Sequence, residues 1–353
     1  MEKGKKVILQ ALMGLDIGGA ETHVVELSLE LKKRGYRVIV ASKGGVYEPI
    51  LREHGVETVA VPLHTKKPMA VLKSIKLLKK IIKEEDIKLV HAHARIPAFI
   101  LSLLQKSLGF TMITTAHGIF HVNFLLRRIT RWGDEVFAVS QEVKKYLLDN
   151  YDVREENIHR TMNGINLEKF KDDDLPGDNR AIVHISRLEE NTSIVAKLLI
   201  EYGKNNRDRE IIIVGDGREL ENLRREAKGY ENIHLPGKTT DVTKFLKKAK
   251  VFVGVGRAAL EAMCFGLPII LAGTFGYLGL LKEENIDFAA VNNFSARYTE
   301  EISYEALSRD LNSLFDNNLD LDFSWERKYI EKNYSVEKMV DKYEEVYKVY
   351  LED

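Results

Sequence analysis

Short apolar runs alternate with amphipathic stretches along the chain. In the first half, each apolar run has the length of a buried strand, and each following stretch carries apolar residues at helical spacing. This alternation predicts parallel strands joined by right-handed helical crossovers. The expected strands are residues 6–12, 36–41, 56–61, 89–93, 112–115 and 136–139, and the expected helices are residues 22–33, 69–83, 97–107 and 141–150.

The same alternation restarts after residues 171–179, which are mostly acidic, contain Pro and Gly, and are typical of a linker. We therefore predict an α/β fold of two doubly wound, Rossmann-like domains that face each other across a cleft. In such sheets, ligands bind beyond the carboxyl ends of the strands. The strands expected in this half are residues 181–185, 210–214, 234–235, 251–255 and 267–272, and the helices are residues 193–203, 218–227, 243–249, 258–265 and 336–350.

Composition narrows the class of protein. The 353 residues have zero formal net charge, 44% hydrophobic residues and one cysteine, as in ordinary soluble proteins. The lone Cys264 excludes an internal disulfide framework and a multi-cysteine zinc site, and its apolar surroundings predict a buried structural thiol. The charged first residues do not form a signal peptide, and no apolar run is long enough to span a bilayer. We expect a cytoplasmic protein.

The most informative segment is the predicted strand-to-helix turn at residues 253–261. Gly254 and Gly256 lie where an apolar strand leads into a strong helix-forming sequence. Free amides and the positive end of the dipole make such a turn an anion site. Arg257 adds a positive charge, and Glu261 lies one turn further on, where it can accept hydrogen bonds from a sugar hydroxyl. A tight turn inside a structural sheet remains the alternative.

Further candidates follow other predicted strands. Gly18 and Gly19 allow close approach of a ligand to the backbone or form a simple turn. His117 can hydrogen-bond a substrate or move a proton, or it caps the core edge. Arg187 can bind a diphosphate with two hydrogen bonds, or form a surface ion pair with a neighbouring glutamate. Gly215 permits another close backbone approach, or a tight turn.

Two further histidines alternate on one predicted strand. The side chains of His91 and His93 should therefore point to the same face. Metal ligands can have this spacing, but no third ligand with matching spacing is evident in the sequence. We favour structural or supporting roles for both histidines and expect no metal site.

Seven short motifs in this order resemble the succession found in GT-B glycosyltransferases of family four, and the resemblance covers almost the whole chain. The motifs are Gly18-Gly19-Ala20-Glu21, Thr115-Ala116-His117-Gly118, Val139-Ser140-Gln141, Asn163-Gly164-Ile165-Asn166 with Phe170, Ser186-Arg187-Leu188, Val214-Gly215-Asp216-Gly217, and Leu260-Glu261-Ala262-Met263 with Gly266-Leu267-Pro268. The resemblance implies a retaining, metal-independent hexosyl-type transfer from a nucleotide diphosphate sugar, UDP- or GDP-linked, with no other cofactor.

The resemblance also implies a division of labour. Residues 1–170 would bind the acceptor, residues 171–332 the nucleotide sugar, and residues 333–353 would form a helix that crosses back to the first domain. The implied contacts are Arg187 with the diphosphate, Glu261 with the ribose, His117 with the donor sugar beside the anomeric carbon, Gly18 and Gly19 with the diphosphate and acceptor, Gly215 with the nucleotide sugar, and the amides of Gly256, Arg257, Ala258, Ala259 and Leu260 with phosphate and donor sugar.

Two departures from the family pattern keep other functions open. The family usually has a glutamate eight residues before the one matching Glu261, where this chain has Val253. It usually has a lysine five or six residues after the arginine matching Arg187, where this chain has Thr192 and Ser193. Arg257 could replace the lost charge. The alternatives are a catalytically impaired binding subunit of a glycosyltransferase complex and a nucleotide-sugar epimerase. A dehydrogenase is disfavoured because Gly18-Gly19 lacks the three-glycine fingerprint.

Two basic, apolar stretches suggest where an acceptor is met. A predicted helix over residues 69–83 carries five lysines, and residues 120–132 mix aromatic residues, leucines and arginines. Such stretches can lie on an anionic bilayer and reach a lipid-linked acceptor. For both, a sheet-covering element with a basic solvent face is the alternative. We expect a glycan or lipid-linked acceptor in polysaccharide, glycolipid or cell-envelope synthesis, possible peripheral membrane contact, and no nucleic-acid partner.

Overall fold

A computed structural model of the chain describes residues 6–170, 180–316 and 322–351. The chain divides into two compact units. Unit 1 comprises Met1–Gly164 and Tyr334–Asp353, and unit 2 comprises Ile165–Asn333. The first boundary therefore lies a few residues before the expected one at 170. The expected linker at 171–179 lies outside the described residues.

Unit 1 contains a seven-stranded, fully parallel sheet in the order β3-β2-β1-β4-β5-β6-β7. Its strands are β1 (Val7–Ala11), β2 (Arg37–Ser42), β3 (Glu57–Ala60), β4 (Leu89–Ala92), β5 (Thr111–Ala116), β6 (Glu135–Ala138) and β7 (Ile158–Arg160). Its helices are α1 (Gly19–Lys33), α2 (Glu48–Glu53), α3 (Pro68–Glu84), α4 (Arg95–Leu108), α5 (Phe124–Ile129) and α6 (Gln141–Asn150), together with the terminal helix Val336–Leu351.

The sheet of unit 1 separates two apolar layers, because successive strand residues point to opposite faces. On β1, Ile8 belongs to a layer formed with α1 and the terminal helix. Its neighbour Leu9 belongs to a layer formed with α3 and α4. Both faces of the sheet are therefore covered, which explains why the strands are apolar runs with little alternation.

The terminal helix is an integral part of unit 1. It presents a buried stripe at helical spacing that packs against α1 and the sheet. Arg34, which follows α1, donates hydrogen bonds to Asp341, to Glu344 and to the carbonyl of Glu337 on that helix. The buried residues of the stripe are Val336, Met339, Val340, Tyr343, Val346 and Tyr347.

Unit 2 contains a six-stranded sheet in the order β10-β9-β8-β11-β12-β13, in which only β13 is antiparallel to its neighbour. The strands are β8 (Ala181–Ile185), β9 (Glu210–Val214), β10 (Ile233–Gly237), β11 (Ala249–Gly254), β12 (Ile269–Gly273) and β13 (Gly276–Leu280). The helices are α7 (Ile194–Asn205), α8 (Leu220–Glu226), α9 (Thr243–Leu246), α10 (Arg257–Met263), α11 (Ile286–Val291), α12 (Tyr304–Asp316) and α13 (Ser324–Asn333), so the terminal helix is α14.

The predicted α/β class with two doubly wound sheets is confirmed. The alternation of strands and helices predicted most of the elements up to β12, whereas β13 and the helices α11 to α13 were missed. Cys264 is fully buried as predicted, and burial raises the pKa of its thiol to about 12. Within the described ranges, no helix combines the length and apolar character needed to cross a bilayer.

Candidate functional site

The candidate residues of unit 2 follow the carboxyl ends of three adjacent strands. Arg187 follows β8, Gly215 follows β9 and Gly256 follows β11. Because β9, β8 and β11 are neighbours in a parallel arrangement, their carboxyl ends lie at the same edge of the sheet. The fold therefore brings the sequence-predicted nucleotide groups of this half to one edge.

The turn into α10 uses most of its amides internally. Gly256 has a φ of +65°, which favours glycine, and its N–H donates to the carbonyl of Phe294 at 2.7 Å. The N–H groups of Ala259 and Leu260 donate to the carbonyl of Gly256 at 3.1 and 3.3 Å. The N–H of Ala258 has no acceptor within the described part of the chain. The amide cradle expected over residues 256–260 is thus smaller than the sequence predicts.

Arg257 and Glu261 form an ion pair on α10. Arg257 Nε donates to Glu261 Oε1 at 2.8 Å, and the two side chains are only 11% and 13% exposed. The spacing of four residues places both on one face of the helix. The arginine therefore orients the carboxylate that the family resemblance assigns to the ribose, a coupling that the sequence prediction did not include.

Arg187 has the opposite environment. Its side chain is exposed and makes no hydrogen bond or ion pair with any described residue. The expected alternative, a surface ion pair with an adjacent glutamate, is not formed, because Glu189 lies 3.7 Å from Arg218 instead. Thr192, at a place where the family usually has lysine, donates its hydroxyl to the carbonyl of Arg187. This bond ties the turn that carries Arg187 to the start of α7.

Two other positions serve the fold of unit 2. Val253, which stands where the family usually has a glutamate, is a fully buried residue of β11 and packs in the core. A Cβ at Gly215 would lie 1.9 Å from the carbonyl oxygen of Ser186, so the close approach there is to the chain's own backbone.

A strained loop, which no sequence pattern indicates, lies beside the turn into α10. Four residues other than glycine have left-handed φ angles of 53–63° in this loop, a conformation that costs free energy and is concentrated at functional sites. The Phe294 carbonyl that accepts from Gly256 belongs to it. Of its residue types, only asparagine favours such angles. The residues concerned are Asn293, Phe294, Ala296 and Tyr298.

In unit 1, the two glycines at the start of α1 are not required by the backbone. Gly18 is extended, with a φ of 178°, so any residue could adopt its conformation. A Cβ on Gly19 would meet no atom within 4 Å. Gly19 therefore leaves open space at the N-terminus of α1, as a ligand that approaches the backbone would require.

His117 follows β5 and is half-buried. Its Nε2 lies 3.1 Å from Nδ1 of His93, and its ring lies edge-on to His23 with centroids 4.9 Å apart. Nδ1 of His117 has no hydrogen-bond partner among the described residues. Burial lowers the pKa of His117 to about 4.

His91 and His93 lie on the same face, as predicted, with ring centroids 4.0 Å apart. Nε2 of His93 lies 2.6 Å from Gln10 Oε1, and Nε2 of His91 lies 2.8 Å from Thr115 Oγ1. Burial lowers the pKa of both histidines well below the usual value. These contacts agree with the supporting roles we favoured from the sequence.

The hydrogen-bonded histidines join further residues from distant parts of the chain. Tyr347 contacts Nδ1 of His91 and, at 3.5 Å, the amide nitrogen of Gln10. Tyr343 lies 3.0 Å from Thr115 and 2.9 Å from Nε2 of His23. Within the described ranges, no group of three or more His, Cys, Asp or Glu side chains is suited to hold a metal ion.

The two stretches proposed for acceptor contact have different surroundings. On α3, Ser74, Leu78 and Ile82 are buried while most of the lysines face solvent, as in a sheet-covering helix. On α5, Phe124 and Leu125 are 73% and 65% exposed. The short helix α5 also borders a cavity of about 750 Å³ that is lined by four arginines, at the amino ends of β5 and β6.

Comparison with known proteins identifies the class to which this arrangement belongs. The structure superimposes on a glycosyltransferase from Rickettsia africae with a TM-score of 0.78 and 23% identity, covering 99% of this chain and 100% of that one. It also superimposes on the Anabaena HepE protein in complex with UDP-glucose, with a TM-score of 0.76 and 17% identity, covering 97% and 99%. The fold is therefore the GT-B glycosyltransferase fold.

Sequence comparison gives the family. Residues 17–169 match the model of Glycosyltransferase Family 4, and residues 166–335 match that of Glycosyl transferases group 1. The chain belongs to the GT-B glycosyltransferases of the family-four type.

Two curated relatives are distant. The chain is 23% identical to a subunit of the human phosphatidylinositol N-acetylglucosaminyltransferase over 77% of its residues, but it spans only 62% of that protein's length. It is 21% identical to the putative glycosyltransferase EpsF of Bacillus subtilis, over 77% of this chain and 80% of that one.

Proposed function

We propose that the protein transfers a hexosyl group from a nucleotide diphosphate sugar to a hydroxyl acceptor, with retention of the anomeric configuration. One observation carries the proposal: in this family-four fold, two groups that could bind a nucleotide follow strands at the same edge of one sheet. They are Arg187, whose exposed side chain has no partner among the described residues, and Glu261, whose carboxylate is held by Arg257. The Anabaena HepE structures, described as complexes with UDP and UDP-glucose, favour a uridine or similar nucleotide as donor.

We assign the nucleotide to unit 2. Negative charge grows on the β-phosphate as the glycosidic bond breaks, and a preorganised cation lowers the free energy of that transition state. Arg187 would supply this cation without a metal, and Glu261 would accept hydrogen bonds from the ribose hydroxyls. We expect loss of Arg187 to lower turnover about 100-fold, as for other single groups that stabilise a developing anion.

We assign the acceptor and the transferred sugar to unit 1. Gly19 leaves room for a ligand at the start of α1, and His117 offers a nitrogen without a partner in the described chain. The acceptor oxygen would bond to the anomeric carbon as the bond to the β-phosphate oxygen breaks. The departing phosphate oxygen, on the same face, would take the hydroxyl proton, so that configuration is retained.

A nucleotide screen followed by turnover assays tests the proposal. Calorimetry with UDP, GDP and ADP would identify the base, and hydrolysis of the matching sugar nucleotides would detect transfer to water. We expect Arg187→Gln to lower turnover about 100-fold, whereas Arg218→Gln, which changes a neighbouring arginine that is 91% exposed, should not. Release of a β-configured sugar from an α-linked donor, or no loss in Arg187→Gln, would contradict the proposal.

We further propose a lipid-linked acceptor that is met at an anionic membrane surface. The exposed Phe124 and Leu125 on α5 lie beside Arg127 and Arg128, a combination that suits an anionic interface. Flotation with vesicles containing anionic lipid should recover the protein at low salt. Phe124→Ser with Leu125→Ser should remove that binding, and vesicle binding that both substitutions leave unchanged would exclude α5 as the contact.

A binding subunit without turnover is the second candidate, favoured by the human relative, which is named as one subunit of a transferase. Nucleotide binding without hydrolysis of any matching sugar nucleotide would support it over the enzyme.

A further inference from the structure

Nine polar side chains of unit 1, most of them buried, form one continuous chain of eight hydrogen bonds. It begins at His117, passes beneath the strand ends to the terminal helix and returns to His23 and Asn163, beside the point where it began. In order, the chain joins His117, His93, Gln10, Tyr347, His91, Thr115, Tyr343, His23 and Asn163.

The donor and acceptor of each bond follow from Gln10. Its oxygen faces His93 at 2.6 Å, so Nε2 of His93 must carry the proton. A neutral imidazole has one N–H, so Nδ1 of His93 is an acceptor and Nε2 of His117 must donate to it. The proton of His117 is therefore on Nε2, and its free Nδ1 carries a lone pair.

The hydrogen bonds from Gln10 to Tyr343 run in the same direction from donor to acceptor. The amide nitrogen of Gln10 donates to Tyr347, whose hydroxyl then donates to Nδ1 of His91. Nε2 of His91 donates to Thr115, and the Thr115 hydroxyl donates to Tyr343. Each N–H or O–H in this series has an acceptor while all of the side chains are neutral. This agrees with the lowered pKa of His91 and His93.

The last two hydrogen bonds of the series run in the same direction from donor to acceptor. Tyr343 donates to Nε2 of His23, and Nδ1 of His23 donates to the side-chain oxygen of Asn163 at 3.2 Å. Reversing the chain requires the carboxamides of Gln10 and Asn163 to turn over together, since either one alone would place two donors or two acceptors in contact.

We propose that Gln10 and Tyr347 are positioning residues that hold His117 as its Nε2–H tautomer and so present Nδ1 as a hydrogen-bond acceptor to a substrate hydroxyl. The contact with substrate rests on the proposed function, whereas the tautomer does not. Gln10 is fully buried on β1, and Tyr347 reaches it from a helix 337 residues away in sequence. The terminal helix thereby sets the chemistry of a residue with which Tyr347 shares no hydrogen bond.

Nitrogen NMR of histidine tests the tautomer without substrate. In protein labelled with ¹⁵N-histidine, the unprotonated ring nitrogen resonates far downfield of the protonated one, and loss of one ring system in His117→Gln assigns the signals. We expect the Nε2–H form in the wild-type protein at neutral pH. Gln10→Met and Tyr347→Phe should each give a mixture of tautomers. A wild-type Nδ1–H form, or an unchanged tautomer in both variants, would overturn the proposal.

A matched control on the same helix separates positioning from packing. Tyr350 also donates its hydroxyl from the terminal helix to the sheet, to Glu135 at 2.6 Å, but lies outside the chain of hydrogen bonds. Tyr350→Phe should therefore leave the tautomer of His117 unchanged. A shift in Tyr350→Phe as large as that in Tyr347→Phe would contradict a specific role for Tyr347.

Turnover provides the functional readout. We expect kcat to fall about tenfold in Gln10→Met and Tyr347→Phe, which corresponds to one hydrogen bond, with nucleotide diphosphate affinity unchanged. Unchanged kcat in variants whose tautomer has shifted would refute the substrate contact. If the wild-type protein turns over no sugar nucleotide, the proposed function fails, and the NMR result still decides the tautomer.

Discussion

The ion pair on α10 allows a sharp test of what Arg257 does. If Arg257 binds phosphate directly, as the sequence suggests, its loss should add to that of Glu261. If it acts by orienting Glu261, as the 2.8 Å contact indicates, the two losses should overlap. A double-mutant cycle over Arg257→Ala and Glu261→Ala distinguishes these roles.

The expected coupling follows from burial. Exposed ion pairs contribute about 0.3–0.5 kcal/mol, whereas hydrogen bonds to buried charged groups contribute about 1.5–3 kcal/mol. With side chains only 11% and 13% exposed, we expect a coupling of about 2 kcal/mol in the free energy of unfolding of unit 2. The exposed pair Lys145–Asp149, at the same N–O distance of 2.8 Å but 75% and 54% exposed, is the matched control, and about 0.4 kcal/mol is expected there.

Nucleotide affinity is the second quantity to measure in the same variants. We expect Glu261→Ala to weaken nucleotide diphosphate binding about 10- to 100-fold, through lost hydrogen bonds to the ribose. Arg257→Ala should weaken it by less, and the double variant should bind no worse than Glu261→Ala alone. Calorimetry with UMP and UDP should give equal losses for Arg257→Ala. Additive losses, or a loss that grows with the second phosphate, would refute the orienting role.

Three further substitutions test the structure. Glu326 is fully buried with neither oxygen bonded in the described chain, and burial raises its pKa well above 4.5. Above pH 4.5 the folded state therefore keeps a proton that the unfolded state releases, so the free energy of unfolding falls as pH rises from about 4.5 toward the folded pKa. Over this range, the free energy of unfolding of Glu326→Gln should rise relative to that of the wild type by up to ~1.4 kcal/mol per pH unit. Urea unfolding followed by Trp325 fluorescence measures the difference. Gly215→Ala should destabilise unit 2 by about 3 kcal/mol or more, because its Cβ would lie 1.9 Å from the Ser186 oxygen, whereas Gly229→Ala, with no atom within 4 Å, should cost about 1 kcal/mol by thermal unfolding. Arg34→Ala should speed hydrogen exchange of the terminal helix, because three hydrogen bonds to that helix are lost, and unchanged protection would show that apolar packing alone holds it.

Local patterns predicted the alternating strands and helices because both are encoded within a few residues. The strand expected at 181–185 is β8, and the terminal helix expected at 336–350 ends at Leu351. The antiparallel β13 was missed because its five residues include two glycines and lack a clear alternation. Its pairing with β12 depends on the hairpin register, which single-residue preferences do not show.

Within the candidate site, the sequence predicted which residues follow the strand ends, but not their hydrogen-bond partners. The pairing of Arg257 with Glu261 could have been predicted, since residues four apart on a helix are neighbours. The burial of Val253 could be predicted, since it lies in the apolar run expected to form a strand at residues 251–255. The strained loop that caps Gly256 carries no sequence signal beyond one asparagine.

The buried series of hydrogen bonds shows why the other hydrogen-bond partners could not be predicted from the sequence. The spacing of His91 and His93 is evident in the sequence, but their hydrogen-bond partners are not. These partners include Gln10 on the first strand and Tyr347 on the last helix. Tyrosines at helical spacing predict only an apolar stripe, and Tyr343 and Tyr347 do fill that role. Their hydroxyls nevertheless lie where an apolar residue would remove one hydrogen bond each from His23, His91 and Thr115, at a cost of about 1–3 kcal/mol for each polar atom left unsatisfied. The terminal helix must therefore match the sheet in hydrogen bonding as well as in shape, and a phenylalanine at either position would preserve the packing while disrupting the order of donors that reaches His117.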